Sequence, residues 1–183
     1  MLSEYAKIVE LSKLPRKKKE LMYYLVGFAD AEGCFNISLK SLKTARFNWV
    51  LDPVFHVTQH ESNRPILELL KAVLKCGRVI EKPGQKGTLQ FMVDNRKQLI
   101  EKIIPFFDRY PLIVKGRDYE IFREIVTALE NKEHSDIKRF EKLVERAFKM
   151  NLEGKQRRYK LSEVLKDLER QDPQRLYARH SKG

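Results

Sequence analysis

The periodicity of this chain changes abruptly at one glycine. From Lys18 to Ala31 there is neither proline nor a turn cluster, and Leu21, Tyr24, Leu25 and Phe28 recur at helical spacing. Gly33 then stands at the usual helix-stop position. Directly after it, Phe35, Ile37 and Leu39 alternate with Asn36, Ser38 and Lys40, the period of a strand with one wet face. A helix passed straight to a half-wet strand, with Glu32 at the joint, points to a mixed α+β fold.

The rest of the chain repeats that alternation. Phe47 to His60 reads as a second, long strand interrupted near Asp52-Pro53, with Phe55 and Val57 on one face and His56 and Thr58 on the other. An amphipathic helix follows over Arg64 to Lys75, ending near Gly77. Two more strands, Arg78 to Lys82 and Thr88 to Asp94, are joined across the turn Pro83-Gly-Gln-Lys-Gly87. Helical spacing resumes through Leu99, Ile100, Ile103 and Ile104, meets Pro105, and returns from about Arg117 to Asn131. The tail reads as charged helix over Ser135 to Met150 and Leu161 to Arg170, and residues 4 to 13 also have a helical look. Three regions result: an N-terminal extension over 1–17, a core over 18–131 and a helical basic extension over 132–183.

Composition narrows the partner. Lys plus Arg number 37 against 25 Asp plus Glu, a net charge of +12, and such an excess repels itself unless a polyanion neutralises it. Nucleic acid is the first candidate; a merely basic protein and attraction to anionic membranes are the others. No stretch approaches the roughly 18 consecutive apolar residues of a membrane helix. Cys34 and Cys76 show neither a disulfide framework nor zinc-ligand spacing, which suits a reducing compartment. The first ten residues carry no import signal, so a bacterial cytoplasm, or synthesis inside an organelle such as a chloroplast, is expected.

Chemistry centres on Glu32. Phosphodiester hydrolysis needs an activated water and charge stabilisation on the departing oxygen, and hard divalent cations held by carboxylates and carbonyls supply both. Glu32 lies at the C-terminal end of a helix, where unpaired carbonyls such as that of Ala31 are also offered to a cation. Taken alone, an acid near a helix end is more often solvated surface. Gly27, inside the same helix, costs about 1 kcal/mol relative to alanine, so close packing is the favoured reason for it.

The segment Leu25-Val-Gly-Phe-Ala-Asp-Ala-Glu-Gly33 resembles the motif of the LAGLIDADG homing endonuclease family, with Glu32 where the final aspartate commonly stands. The resemblance implies an αββαββα saddle whose antiparallel sheet lies over the DNA major groove. It also implies a motif helix that pairs with its symmetry mate, through Leu25, Gly27, Phe28 and Ala31, in a homodimer. Glu32 and the Ala31 carbonyl are then metal ligands for Mg2+, with Mn2+ or Ca2+ able to occupy the same site, and Asp30 is structural. Phe55-His-Val-Thr-Gln59 resembles the strand that brings Gln59 to the catalytic centre, where it would order water. Pro105-Phe-Phe-Asp-Arg-Tyr-Pro-Leu-Ile-Val-Lys115 resembles the segment that delivers Lys115 to stabilise charge or assist proton transfer. The phrase Leu51 to His60 resembles single-motif members that target large-subunit ribosomal RNA genes, and no second copy of the motif is found in the tail.

A sheet in the major groove reads bases with alternate side chains. Strand parity nominates Asn36, Ser38, Lys40, His56, Thr58, Arg78, Lys82, Thr88 and Gln90 as readers, with Ile80 and Met92 beside them. Arg46 and Arg64, with Lys43 and Lys86, are expected at phosphates. The runs Arg16 to Lys19 and Lys155 to Lys160 read either as phosphate anchors or as solvated basic surface.

The expected activity is a staggered double-strand cut in a long pseudo-palindromic DNA target, with neither a membrane nor a small molecule as partner. An RNA-splicing maturase or a DNA-binding regulator of the same fold is the alternative, and retention of Glu32, Gln59 and Lys115 together favours the nuclease. The four histidines, His56, His60, His134 and His180, do not supply the paired site of an HNH nuclease.

Overall fold

The computed structural model describes residues 5, 7–10, 13–15, 17–151 and 157–172. Helix α1 spans Lys18–Glu32 and passes without a linker into strand β1, Gly33–Ser41. Strand β2, Trp49–His60, is followed by a short 3-10 turn and helix α2, Arg64–Leu74. Strands β3, Arg78–Glu81, and β4, Thr88–Val93, complete a four-stranded sheet of order β1-β2-β4-β3. Where registers are defined, β4 pairs antiparallel with both β2 and β3. The αββαββ order expected from sequence is thus present.

Two local expectations are corrected. β2 runs uninterrupted through Pro53, because β4 reaches only the Phe55–Val93 pair; beyond it the missing proline N–H costs no bond to β4. Likewise Pro105 does not break its helix. Helix α3, Arg96–Gln98, widens into a π turn over Leu99–Ile103, where the Ile104 N–H donates to the Leu99 carbonyl, and α4, Ile104–Arg109, continues from it. That wider turn sits where the proline ring would otherwise press on the preceding carbonyl. Helix α2 covers the span expected for it, ending at Leu74, and Lys75 takes the left-handed cap (φ 53°) two residues before Gly77.

Helices α5, Gly116–Glu130, α6, Ile137–Phe148, and α7, Leu161–Gln171, follow. Of the residues 4–13 read as helix, 4, 6, 11 and 12 lie outside the described residues; the others form 3-10 and turn geometry, with the Ile8 and Val9 amides donating to the Tyr5 carbonyl. Among the described residues, no helix is long and apolar enough to cross a membrane.

The chain divides into two compact units that interleave in sequence. One holds residues 1–35 and 53–120, the other 36–52 and 121–183. The first is centred on an aromatic cluster: Phe35 stacks on Phe55 at 4.9 Å, and Phe107 meets both rings edge-on at 5.2 and 5.3 Å. Leu21, Leu25, Leu67 and Leu70 are buried in the same unit. The second buries Phe122, Ile125, Phe140, Val144, Val164 and Leu168.

Candidate active site

Gly33 fixes the joint between α1 and β1. A Cβ at this position would stand 2.4 Å from the Ala29 carbonyl oxygen, while the Gly33 N–H donates to that same oxygen. Only glycine lets the chain turn from helix to strand within one residue here. Glu32 is therefore held at the last helical position, exposed, and no described residue engages its carboxylate.

Asp30 is one step back and serves a different purpose. Buried, it accepts hydrogen bonds from three consecutive backbone amides: Ile113 at 2.9 Å, Val114 at 2.9 Å and Lys115 at 2.8 Å. Burial alone would raise its pKa, but those amides and the Lys115 charge outweigh it, so the carboxyl is held below its ordinary value. Asp30 thus pins the segment before α5 onto the end of α1, which is the structural role expected of it. The pinning delivers Lys115, whose ammonium donates to the Asp30 carbonyl and, at 2.8 Å, to the Ala31 carbonyl. The helix end that sequence assigned to a metal, through the Ala31 carbonyl, holds an ammonium in this structure.

Gln59 is placed differently. It sits near the end of β2 opposite Leu89, and its side-chain oxygen accepts from the Asn63 amide at 2.9 Å. The contact that orients Gln59 is therefore with the turn after β2.

The open face of α1 also departs from expectation at one residue. Leu25 is 0% exposed and belongs to the chain's own core, so it is not available to a partner helix. Gly27 and Ala31 are exposed, Phe28 is half-buried, and an added Cβ on Gly27 would meet nothing within 4 Å. Tyr24 is 54% exposed, Ile113 92% and Val114 77%; these apolar groups were missed by sequence reading. Tyr24 lies one helical turn from Gly27 and Phe28 and could have been found from spacing alone. Ile113 and Val114 are exposed because Asp30 holds their backbone and leaves their side chains outside.

On the sheet, the rows are defined. His56, Met92 and Arg78 form one cross-strand row, and Thr58, Gln90 and Ile80 the next. Arg78 is clamped by Asp94 through two bonds of 2.7 Å, and Lys40 pairs with Asp52. Burial, and then the Lys82 charge, hold the His56 imidazole below its ordinary pKa. Gln90 corrects the expectation: at 5% exposure, with its amide donating to Thr58 Oγ1 at 3.2 Å, it ties strands together and is not presented to a ligand. Asn36 and Ser38 are half-buried, the latter donating weakly to the Asp52 carbonyl at 3.4 Å; Lys82 and Thr88 are half-buried too. Arg64 is engaged by Glu68 at 3.1 Å, and Arg46 lies over the Phe47 ring. Arg157, from the run read either as phosphate anchors or as solvated basic surface, is turned inward, stacked 4.5 Å from the Phe148 ring centre and donating to the Ala147 carbonyl. Arg16 and Lys155 lie outside the described residues.

A family model described as LAGLIDADG endonuclease matches residues 25–126, which contain the α1–β1 joint and the Lys115 segment. The chain belongs to this family. Among LAGLIDADG relatives, the DNA endonuclease I-CeuI of Chlamydomonas moewusii is 37% identical over 122 residues, 64% of this chain and 56% of the relative. The archaeal intron-encoded homing endonuclease I-Vdi141I, solved in complex with DNA, superposes with a TM-score of 0.80 at 37% identity, covering 84% of this chain and 98% of that one. I-SmaMI, solved bound to an uncleaved DNA target in the presence of calcium ions, gives a TM-score of 0.68 at 29% identity, covering 72% of this chain and 45% of that one. The mixed fold with its four-stranded sheet is thus that of LAGLIDADG homing endonucleases.

Proposed function

We propose that the chain is a homodimeric, metal-dependent DNA endonuclease that makes a staggered double-strand cut in a long pseudo-palindromic site, within a ribosomal RNA gene, in support of intron mobility. The observation that carries this reading is the end of α1: an exposed carboxylate, unpartnered among the described residues, beside helix carbonyls that attract a cation. The donor set suits a divalent metal such as Mg2+. One carboxylate and one carbonyl per protomer leave room for substrate phosphate oxygens, which is how this hard ion is usually held. Among the described residues of one chain, no group of three or more His, Cys, Asp or Glu is gathered to hold a metal. When bound, the metal would activate water and neutralise charge on the departing oxygen.

The chain's own residues supply the rest. Glu32 would hold the metal, joined by the Ala31 carbonyl once the Lys115 ammonium turns from it to the phosphate. The Asp30 clamp keeps the Lys115 ammonium at the same helix end, where it would stabilise negative charge on the phosphate. Gln59 would orient water from the end of β2. Arg78, Lys82, His56, Thr58 and Thr88, with Asn36, Ser38 and Lys40, would face bases, and Arg46 and Arg64 phosphates. The open face of Tyr24, Gly27, Phe28 and Ala31, with Ile113 and Val114, fits a second copy of the chain, because large exposed apolar groups around a glycine invite close helix approach. The core over 18–131 would carry the cutting centre and the base contacts, and the extensions 1–17 and 132–183 would carry neither.

The test is cleavage of a plasmid carrying ribosomal DNA by purified protein with Mg2+, with the ends mapped on both strands. Staggered ends that vanish on chelation support the reading. Specific binding without cutting under Mg2+ or Mn2+ would assign the chain to a non-cleaving role.

A further inference from the structure

The connection between β1 and β2 is tied to the C-terminal helices. Residues 36–52 form one compact unit with 121–183, apart from the unit that holds the rest of β2 and the site at Glu32. The Trp49 indole N–H donates to Asp167 Oδ2 of α7 at 2.8 Å, and its ring meets Tyr159 edge-on at 4.8 Å. The Gln171 amide, also on α7, donates to the Phe47 carbonyl at 3.3 Å, and Phe47 packs on Phe140 of α6 at 5.7 Å. Within the connection itself, Leu42 N–H donates to the Asn48 carbonyl at 2.8 Å, and Asn48 adopts a left-handed backbone (φ 58°). Lys43 and Arg46 are its exposed cations. A β-hairpin end anchored by nothing beyond its own ladder would sway; this one is held by an indole hydrogen bond, an amide and two aromatic contacts.

We propose that α7, through Asp167 and Gln171, is a positioning clamp that sets the aim of the 42–48 connection and so governs sequence discrimination at the outer part of each DNA half-site. The inference rests on the endonuclease reading. The outer location follows from reach. The nine residues of β1 rise about 3.3 Å each, carrying the connection about 25–30 Å along the strand, or about eight base pairs at 3.4 Å each. Contacts made there bear on recognition and leave the chemistry at Glu32 untouched.

The experiment is a cleavage and binding profile of the full chain over a set of targets carrying every single-base substitution, for wild type, Asp167→Ala, Asp167→Asn and Trp49→Phe. Asp167→Ala and Trp49→Phe each remove the indole hydrogen bond from a different side. The amide of Asp167→Asn keeps an acceptor oxygen for the indole. The expected result is a loss of discrimination of about fivefold or more at base pairs about seven to nine from the cut for the first two. Discrimination at central positions and the rate on saturating optimal target should be retained, and Asp167→Asn should resemble wild type. Unchanged outer discrimination, or an equal loss at every position, would overturn the clamp while leaving the nuclease reading intact. A wild-type chain that discriminates no target removes the reading on which the clamp rests, and the clamp with it.

Discussion

Two neighbouring acids on one helix turn do opposite things, and the difference is set by what reaches them. Asp30 is surrounded by three amides from a segment 83 to 85 residues away, whereas Glu32 is left to solvent. Replacing Asp30 by Asn keeps the shape but sets an NH2 against amide donors. We expect a loss of about 2–3 kcal/mol in denaturant unfolding, together with a weaker hold on Lys115. Because the Asp30 pKa is lowered on folding, its contribution is fully present above the ordinary carboxylate range and is lost as pH falls through the lowered value, so it should fade below about pH 4. An acid-unfolding profile of the wild type against Asp30→Asn tests this: the difference between them should shrink as pH drops. The structural nature of Asp30 was legible from the motif, but its three partners were not, since no local spacing relates residue 30 to residues 113–115. Leu25 and Gln90 show the converse. Their identities fitted an interface and a base reader, and only three-dimensional burial reveals that one fills the core and the other bridges strands.

At the scale of elements, alternation and helical spacing placed every strand of the sheet within about two residues, because a half-buried strand carries its periodicity openly. The errors fall at proline. Pro53 and Pro105 read as breaks, yet the first sits where no bond to β4 is needed and the second follows a π turn. Gly77 does not end α2 but is required just beyond it. At φ 73° an added Cβ would stand 2.6 Å from Phe91 Cε2 and 2.7 Å from the Met92 carbonyl oxygen. Gly77→Ala should therefore cost about 1–3 kcal/mol, measured by chemical denaturation, and loosen β3 and β4 together. A change below a few tenths of a kcal/mol would show that the turn relaxes freely.

For the whole molecule, the sequence could not show that the β1–β2 connection belongs with the tail, since that grouping depends on contacts far apart in the chain, such as Trp49 with Asp167, 118 residues on. It did show a helix with an unexplained glycine. Gly27 has open space around it, so nothing among the described residues requires its small size. Gly27→Ala should accordingly raise the stability of the isolated chain by about 1 kcal/mol. The larger Gly27→Leu should weaken self-association, followed by sedimentation with and without DNA. Wild-type dimer affinity in Gly27→Leu would remove α1 from the interface.

Glu32 is proposed as the carboxylate that makes cutting possible, and the most direct test is single-turnover cleavage of the specific target by wild type and Glu32→Gln, with DNA affinity measured in parallel. The predicted result is full binding by both proteins and a cleavage rate reduced on the order of 10²–10³ or more in the variant. A Glu32→Gln protein that cuts at the wild-type rate would contradict it.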